Sequence, residues 1–174
     1  MPESGLIIPV RILMVVVFKL SEFLASDKAE KLHIPNTPLK CHIMRLQNLA
    51  VRCLEPIRQA LGLPIHVNSG YRCPALNDAV KGVKNSQHML GEAADITILM
   101  SNRPFGHSTD EQIARLIFNY AKEYADFDQL ILEHYTDKKT GRQHWWVHIS
   151  CRIDYRQNRH EKLKIENGKS KKID

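Results

Sequence analysis

Two short alternating stretches with a turn between them constrain this chain more than anything else in it. Gln129 to His134 and Trp145 to Cys151 each read as a strand, and Asp137-Lys138-Lys139-Thr140-Gly141 between them reads as a turn closed by a left-handed glycine. Together they predict an antiparallel hairpin. Upstream the patterning is mostly helical. Leu46, Leu49, Ala50, Cys53, Leu54, Ile57 and Leu61 recur at the i, i+3, i+4 spacing of one helix face, with Pro56 as a kink or junction and Gly62 as the stop. Thr37 and Pro38 offer a cap and a first helical position ahead of it. A shorter helix is expected from Ser21 as N-cap. Another is expected over about 110–124, capped by Ser108 or Thr109, with Ile113, Leu116, Ile117, Tyr120 and Tyr124 on one face. Ile65 to Ser69 and Asp95 to Met100 add two strands, and the stretch from Ser69 to Asn85 is rich in turn residues. Helices first and strands later predict an α+β fold: a small single domain, not a regular βαβ alternation.

A chain of 174 residues with 43% hydrophobic residues is long enough and apolar enough for one compact core. The net charge of +6 is uneven, because Arg152 to Asp174 carries eight Lys/Arg against four Asp/Glu and leaves the rest near neutral. A near-neutral body is no nucleic-acid binder, and the basic segment has little aromatic content beyond Tyr155 for stacking bases. The organisation expected is an N-terminal extension or edge strand over 1–17, a domain over 18–151, and a basic, flexible tail over 152–174. The apolar run Ile12 to Phe18 has seven residues, where a membrane span needs about 20, so no stable membrane insertion is expected. Cys41, Cys53, Cys73 and Cys151 form no C-x-x-C pair and read as mostly buried thiols.

The chemistry sits in two segments. The first is Ser86-Gln87-His88-Met89-Leu90-Gly91-Glu92-Ala93-Ala94-Asp95, and the second is Trp145-Trp146-Val147-His148-Ile149-Ser150. Two histidines and a carboxylate are a proper set for a catalytic zinc, leaving a fourth position for water. Small residues at Gly91, Ala93 and Ala94 let the loop carrying His88 fold back against Asp95.

The pattern Ser-x-His-x-x-Gly-x-Ala-x-Asp, met by Ser86, His88, Gly91, Ala93 and Asp95, resembles the metal-binding signature of the D-alanyl-D-alanine carboxypeptidase and hedgehog group of zinc peptidases. Ser69-Gly70-Tyr71-Arg72 with Leu76-Asn77 is similar to that group's Ser-Gly-Tyr-Arg segment, and Trp146 to Ser150 resembles its last ligand strand. The likeness runs from about Phe18 to Cys151 and is nearest to the short cell-wall peptidases of phages and prophages. It implies a largely antiparallel sheet with zinc on His88, Asp95 and His148, acting on the stem or bridge peptides of peptidoglycan. The implied protein is a hydrolase of the endolysin kind, a monomer whose compartment, cytoplasm before release or periplasm, stays open. Carboxypeptidase and endopeptidase members share these motifs.

Many members carry the catalytic acid three residues before the last histidine, and here that place holds Trp145, which takes no proton. Glu133 is the candidate base. With the turn centred between Thr140 and Gly141, Glu133 pairs with His148; centred one residue earlier, it pairs with Trp146 on the same face. Asp128 is the reserve, one residue out of phase. Arg72 is expected to bind a substrate carboxylate or steady the developing oxyanion. Gln87 would bond substrate backbone, Ser86 would shape the loop beside it, and Tyr71 and Asn77 are read as scaffold. Against the peptidase stands a second reading, a non-catalytic zinc-binding structural or binding domain of the same fold, kept alive by Trp145.

Overall fold

Pro56 decides how the long first helix is built. A proline in a helix cannot donate to the carbonyl four residues back, which here belongs to Arg52. In a computed structural model of the chain, which describes residues 18–104, 106 and 108–173, that helix is in three parts: α3 (Lys40–Leu49), a π-helical turn over Ala50–Leu54, and α4 (Glu55–Leu61) with Pro56 in its first turn. The Arg52 carbonyl accepts from the backbone N–H of Asp126 at 3.1 Å, so the proline's missing donor is replaced from the segment entering the central hairpin. Gly62 ends α4 at φ 65°, as its position predicts. The helix starts at Lys40 rather than at Pro38, and Leu39 N–H is held by His42 Nδ1 at 3.2 Å. The helix expected from Ser21 is two short ones, α1 (Leu20–Leu24) and α2 (Asp27–Lys31); Ser26 caps the second by accepting from Ala29 N–H. The extension or edge strand expected over 1–17 lies outside the described residues.

Three further helices are α5 (Pro74–Ala79), α6 (Gln87–Leu90) and α7 (Asp110–Tyr124). The last runs over the predicted residues and opens on a capping box between Thr109 and Gln112. The strands are β1 (His66–Ser69), β2 (Ala93–Thr97), β3 (Gln129–Thr136), β4 (Gln143–Ser150), β5 (Glu161–Glu166) and β6 (Lys169–Lys172). They make one six-stranded sheet in the order β1-β2-β4-β3-β5-β6, antiparallel throughout except for β3 with β5. This is the expected α+β domain.

Strand alternation gives the sheet two unlike faces. Ile96, Leu130, Leu132, Val147 and Ile149 pack with Ile113, Ile117 and Ala121 of α7 and with Leu54 and Ile57 of the broken helix. The other face carries Asp95, Gln129, Ile131, Glu133, Trp146 and His148, by the pairing Asp95↔His148, Ile131↔His148 and Glu133↔Trp146. Among the cysteines, Cys53 and Cys151 are buried and Cys73 half-buried, whereas Cys41 is exposed; all four are free.

The flexible tail expected after Cys151 is corrected by the structure, since Glu161–Glu166 runs parallel to β3 and Lys169–Lys172 closes that side of the sheet. Hydropathy alone hides such strands, because their exposed positions are charged. Asp128 explains why they stay. Its side chain is 0% exposed, and its Oδ1 accepts from Arg152 Nε at 2.9 Å and from Arg159 Nε at 3.0 Å, while Oδ2 accepts from Arg159 Nη2 at 2.6 Å. The segment after β4 is thereby pinned at the mouth of β3. Asp128 is a structural anion, not a reserve base. Burial works against its charge, and the hydrogen bonds from Arg159 and Arg152 outweigh burial, holding the carboxyl well below the usual carboxylate range.

Asp128→Asn is therefore expected to destabilise the fold by about 2–3 kcal/mol at neutral pH, at the low side of a broken buried pair because both arginines can rehydrate. A depressed native pKa contributes stability that is present above the unfolded value of about 3.9 and disappears as pH falls through the native one. Urea unfolding at pH 7 and pH 3 checks this: the gap between native and mutant protein should be full at pH 7 and only partly reduced at pH 3, where the native carboxyl is still ionised.

Candidate metal centre

His88 is placed by a four-residue helix that could not exist without its stop. α6 ends at Gly91 with φ 75°, and a Cβ there would come within 2.6 Å of the His42 carbonyl oxygen. The glycine turns the chain straight into β2, and Asp95 follows in the middle of that strand rather than at its start. His148 lies opposite Asp95 on β4.

Three ligand atoms converge. His148 Nδ1 is 2.9 Å from Asp95 Oδ1, His88 Nε2 is 3.3 Å from the same oxygen, and the two histidine nitrogens are 3.2 Å apart. Zinc bonds of about 2.0–2.1 Å at tetrahedral angles separate ligand atoms by roughly 3.3–3.4 Å. The triangle is thus already close to the size of one face of a zinc tetrahedron, and three protein donors leave the fourth position open. Among the described residues this is the group of His, Cys, Asp and Glu side chains that could hold a metal ion.

His88 and Asp95 are oriented from behind. His88 Nδ1 lies 2.7 Å from the Gly70 carbonyl, which accepts its proton and leaves Nε2 as the bare lone pair. The two oxygens of Asp95 are divided: Oδ2 accepts from Arg72 Nη2 at 2.7 Å, and Oδ1 faces the histidines. Arg72 is steadied in turn by donating from Nε to Ser69 Oγ at 2.9 Å, and its own N–H donates to the His88 carbonyl. Burial pulls the His88 imidazole below its ordinary value, favouring the neutral form a metal requires. Burial opposes the charge of Asp95, and its contacts with His88 and His148 outweigh burial, so the carboxyl stays well below the usual range.

The triangle opens into a cleft of about 780 Å³ lined by Arg72, Gln87, Ile131, Glu133, Trp146 and Arg152 among others. Glu133 sits in the second of the two registers allowed by the hairpin, opposite Trp146 and diagonal to His148. Burial and the nearby charge of Asp95 raise its carboxyl above the ordinary value. Arg72 lines the cleft, yet two of its nitrogens are committed to Asp95 and Ser69, so here it is a positioning residue for a ligand. Ser86 and Gln87 line the cleft as well, and the Gln87 side-chain oxygen is buried without a hydrogen-bond partner. Tyr71 and Asn77 are buried, as scaffold should be. Trp145 is on the opposite face, buried and stacked on His134 at 4.0 Å between ring centroids. An acid in its place would face the core and not the metal. Arg152 and Arg159 also reach the cleft and were missed by sequence reasoning. Arg152 stands four residues after His148, so strand alternation was the available signal.

The family model described as Peptidase M15 matches residues 16–115, more than half of the chain. The match takes in Arg72, His88 and Asp95 and stops before Glu133 and His148, which the sheet brings to the same place. No curated protein matches the chain.

His88→Ala, Asp95→Ala and His148→Ala should each lose bound zinc, because removal of one of three protein donors dismantles the open site. Metal analysis of the purified proteins is the check; a full zinc complement in all three would refute the ligand set.

Proposed function

The chain belongs to the peptidase M15 family and is a zinc metallopeptidase, and from that premise we propose that it hydrolyses peptide bonds in the stem or bridge peptides of peptidoglycan, with Glu133 as general base. The observation that carries the reading is the meeting of the ligand triangle and the Glu133 carboxyl in one cleft, on one face of three paired strands. Trp145, which would favour a non-catalytic domain if the acid had to stand there, faces the core and carries no weight against a base on β3.

His88, Asp95 and His148 would hold the metal, which when bound supplies a water of pKa about 7 and polarises the scissile carbonyl. Glu133 accepts the proton of the attacking water and delivers it to the nitrogen of the leaving amine, so one carboxyl serves both halves of the reaction. Its raised pKa suits that exchange better than an ordinary carboxylate would. Arg72 keeps Oδ2 of Asp95 occupied, leaving Oδ1 as the coordinating atom. The unpartnered oxygen of Gln87 would accept an N–H of the substrate backbone, relieving a buried acceptor that otherwise costs about 1–3 kcal/mol. No covalent intermediate is required.

Glu133→Gln should keep zinc and thermal stability while lowering turnover by about two to four powers of ten. Digestion of purified muropeptides, followed by mass analysis of the products, measures this and identifies the bond cut. Native-like turnover in Glu133→Gln would remove Glu133 from the mechanism, and intact muropeptides with the zinc-loaded native protein would overturn the substrate class.

A further inference from the structure

One end of the cleft is cationic in a way that the ligand triangle does not explain. Arg152 lines the cleft, and its side chain is 37% exposed. It spends only Nε on Asp128, which fixes the guanidinium, and no Asp or Glu of the described residues bonds its two Nη groups. Arg159, beside it, holds the same carboxylate through Nε and Nη2, with Nη1 3.6 Å from Glu161. The charges around this end do not cancel. Arg45, Arg152, Arg159 and Lys172 meet Glu92, Asp128 and Glu161, four cations against three carboxylates. The carboxylates are engaged: Asp128 by two arginines, Glu161 by Gln129 and Lys172, and Glu92 by Arg45 and the N–H of Ile153.

The position of this guanidinium along the cleft is set by the sheet. Asp128 precedes β3, and Ile131 is the residue paired with His148. Three residues of extended chain span about 10 Å, so the Arg152 head is held about two to three peptide residues from the metal triangle. A terminal carboxylate one residue beyond the scissile carbonyl is too close to reach it. Between the two points the floor is Gln129 and Ile131, a surface for an extended backbone with one apolar contact.

We propose that Arg152, backed by Arg159, is a specificity-determining subsite that binds a carboxylate of the peptide substrate two to three residues away from the bond that is cut. Asp128 and Arg159 act as its mount. This rests on the peptidase reading above for the chemistry, but not for the binding. The free fork of Arg152 matches a carboxylate in bidentate fashion, and a charge-assisted pair of this kind discriminates acid from amide by about tenfold to a hundredfold.

The test compares the muropeptide cleaved fastest by the native protein with forms in which each carboxylate in turn is amidated. Amidation of one carboxylate, two or three residues from the scissile bond, should raise KM at least tenfold. Arg152→Gln should abolish that preference, Arg152→Lys should keep part of it, and Arg156→Gln, on an exposed side chain paired with Asp154 away from the cleft, should keep all of it. Asp128 remains bound by Arg159 in Arg152→Gln, so thermal unfolding should confirm an intact fold. Titration calorimetry of acid and amide peptides on zinc-loaded Glu133→Gln reads the same preference without catalysis. Equal KM and equal affinity for acid and amide in the native protein, or an undiminished preference in Arg152→Gln, overturns the subsite. If no peptide is cleaved but the acid form still binds more tightly through Arg152, the peptidase reading falls and the subsite stands.

Discussion

The chemistry of this protein depends on the register between β2 and β4. Asp95 lies opposite His148, and the two side chains share a face and meet because the strands pair at that register. A slip of one residue would turn one of them into the core and separate the ligand atoms by the thickness of the sheet. The register is held by burial on the opposite face, where Ala94, Ile96, Val147 and Ile149 are all fully buried, and by the N–H of Cys151 on the Glu92 carbonyl just beyond the strand ends. The apolar core and the polar site are therefore one constraint seen from two sides.

Around that register the site is mounted by groups that do no chemistry. The Gly70 carbonyl chooses the His88 tautomer, Arg72 chooses the Asp95 oxygen, and Gly91 sets the angle at which α6 meets β2. Two of these, Gly70 and Arg72, lie in the Ser-Gly-Tyr-Arg segment, about twenty residues upstream of His88 and Asp95, the side chains they hold. The segment thus braces the side chains that could hold the metal. Arg152, the arginine of the proposed subsite, is anchored separately, on Asp128.

Much of this was legible in the sequence. α7, the stop at Gly62, the junction at Pro56 and the central hairpin carried strong local signals, because caps, prolines, glycines and alternation act within a few residues. The convergence of His88, Asp95 and His148 was legible because motif spacing reports local geometry, and the place of Glu133 on their face because a hairpin has few registers. The misses have a common cause in long-range pairing. β5 and β6 are too charged to look like strands, and what holds β5 is a parallel neighbour about thirty residues earlier together with the buried Asp128. The bonds of Arg72 to Asp95 and Ser69 are likewise long-range and invisible in the sequence. Trp145 looked like a lost acid until alternation on a real strand placed it on the core face.

The Asp128 clamp has a consequence for the order in which the chain is made. Asp128 leaves the ribosome ahead of both its cations, with all of β4 in between. Until Arg152 and Arg159 follow, burying β3 means burying an uncompensated charge, so the hairpin is held back from committing to the core even though its own turn and alternation are complete. The face that would carry the metal and the arginines at the far end of its cleft are therefore stabilised as one unit.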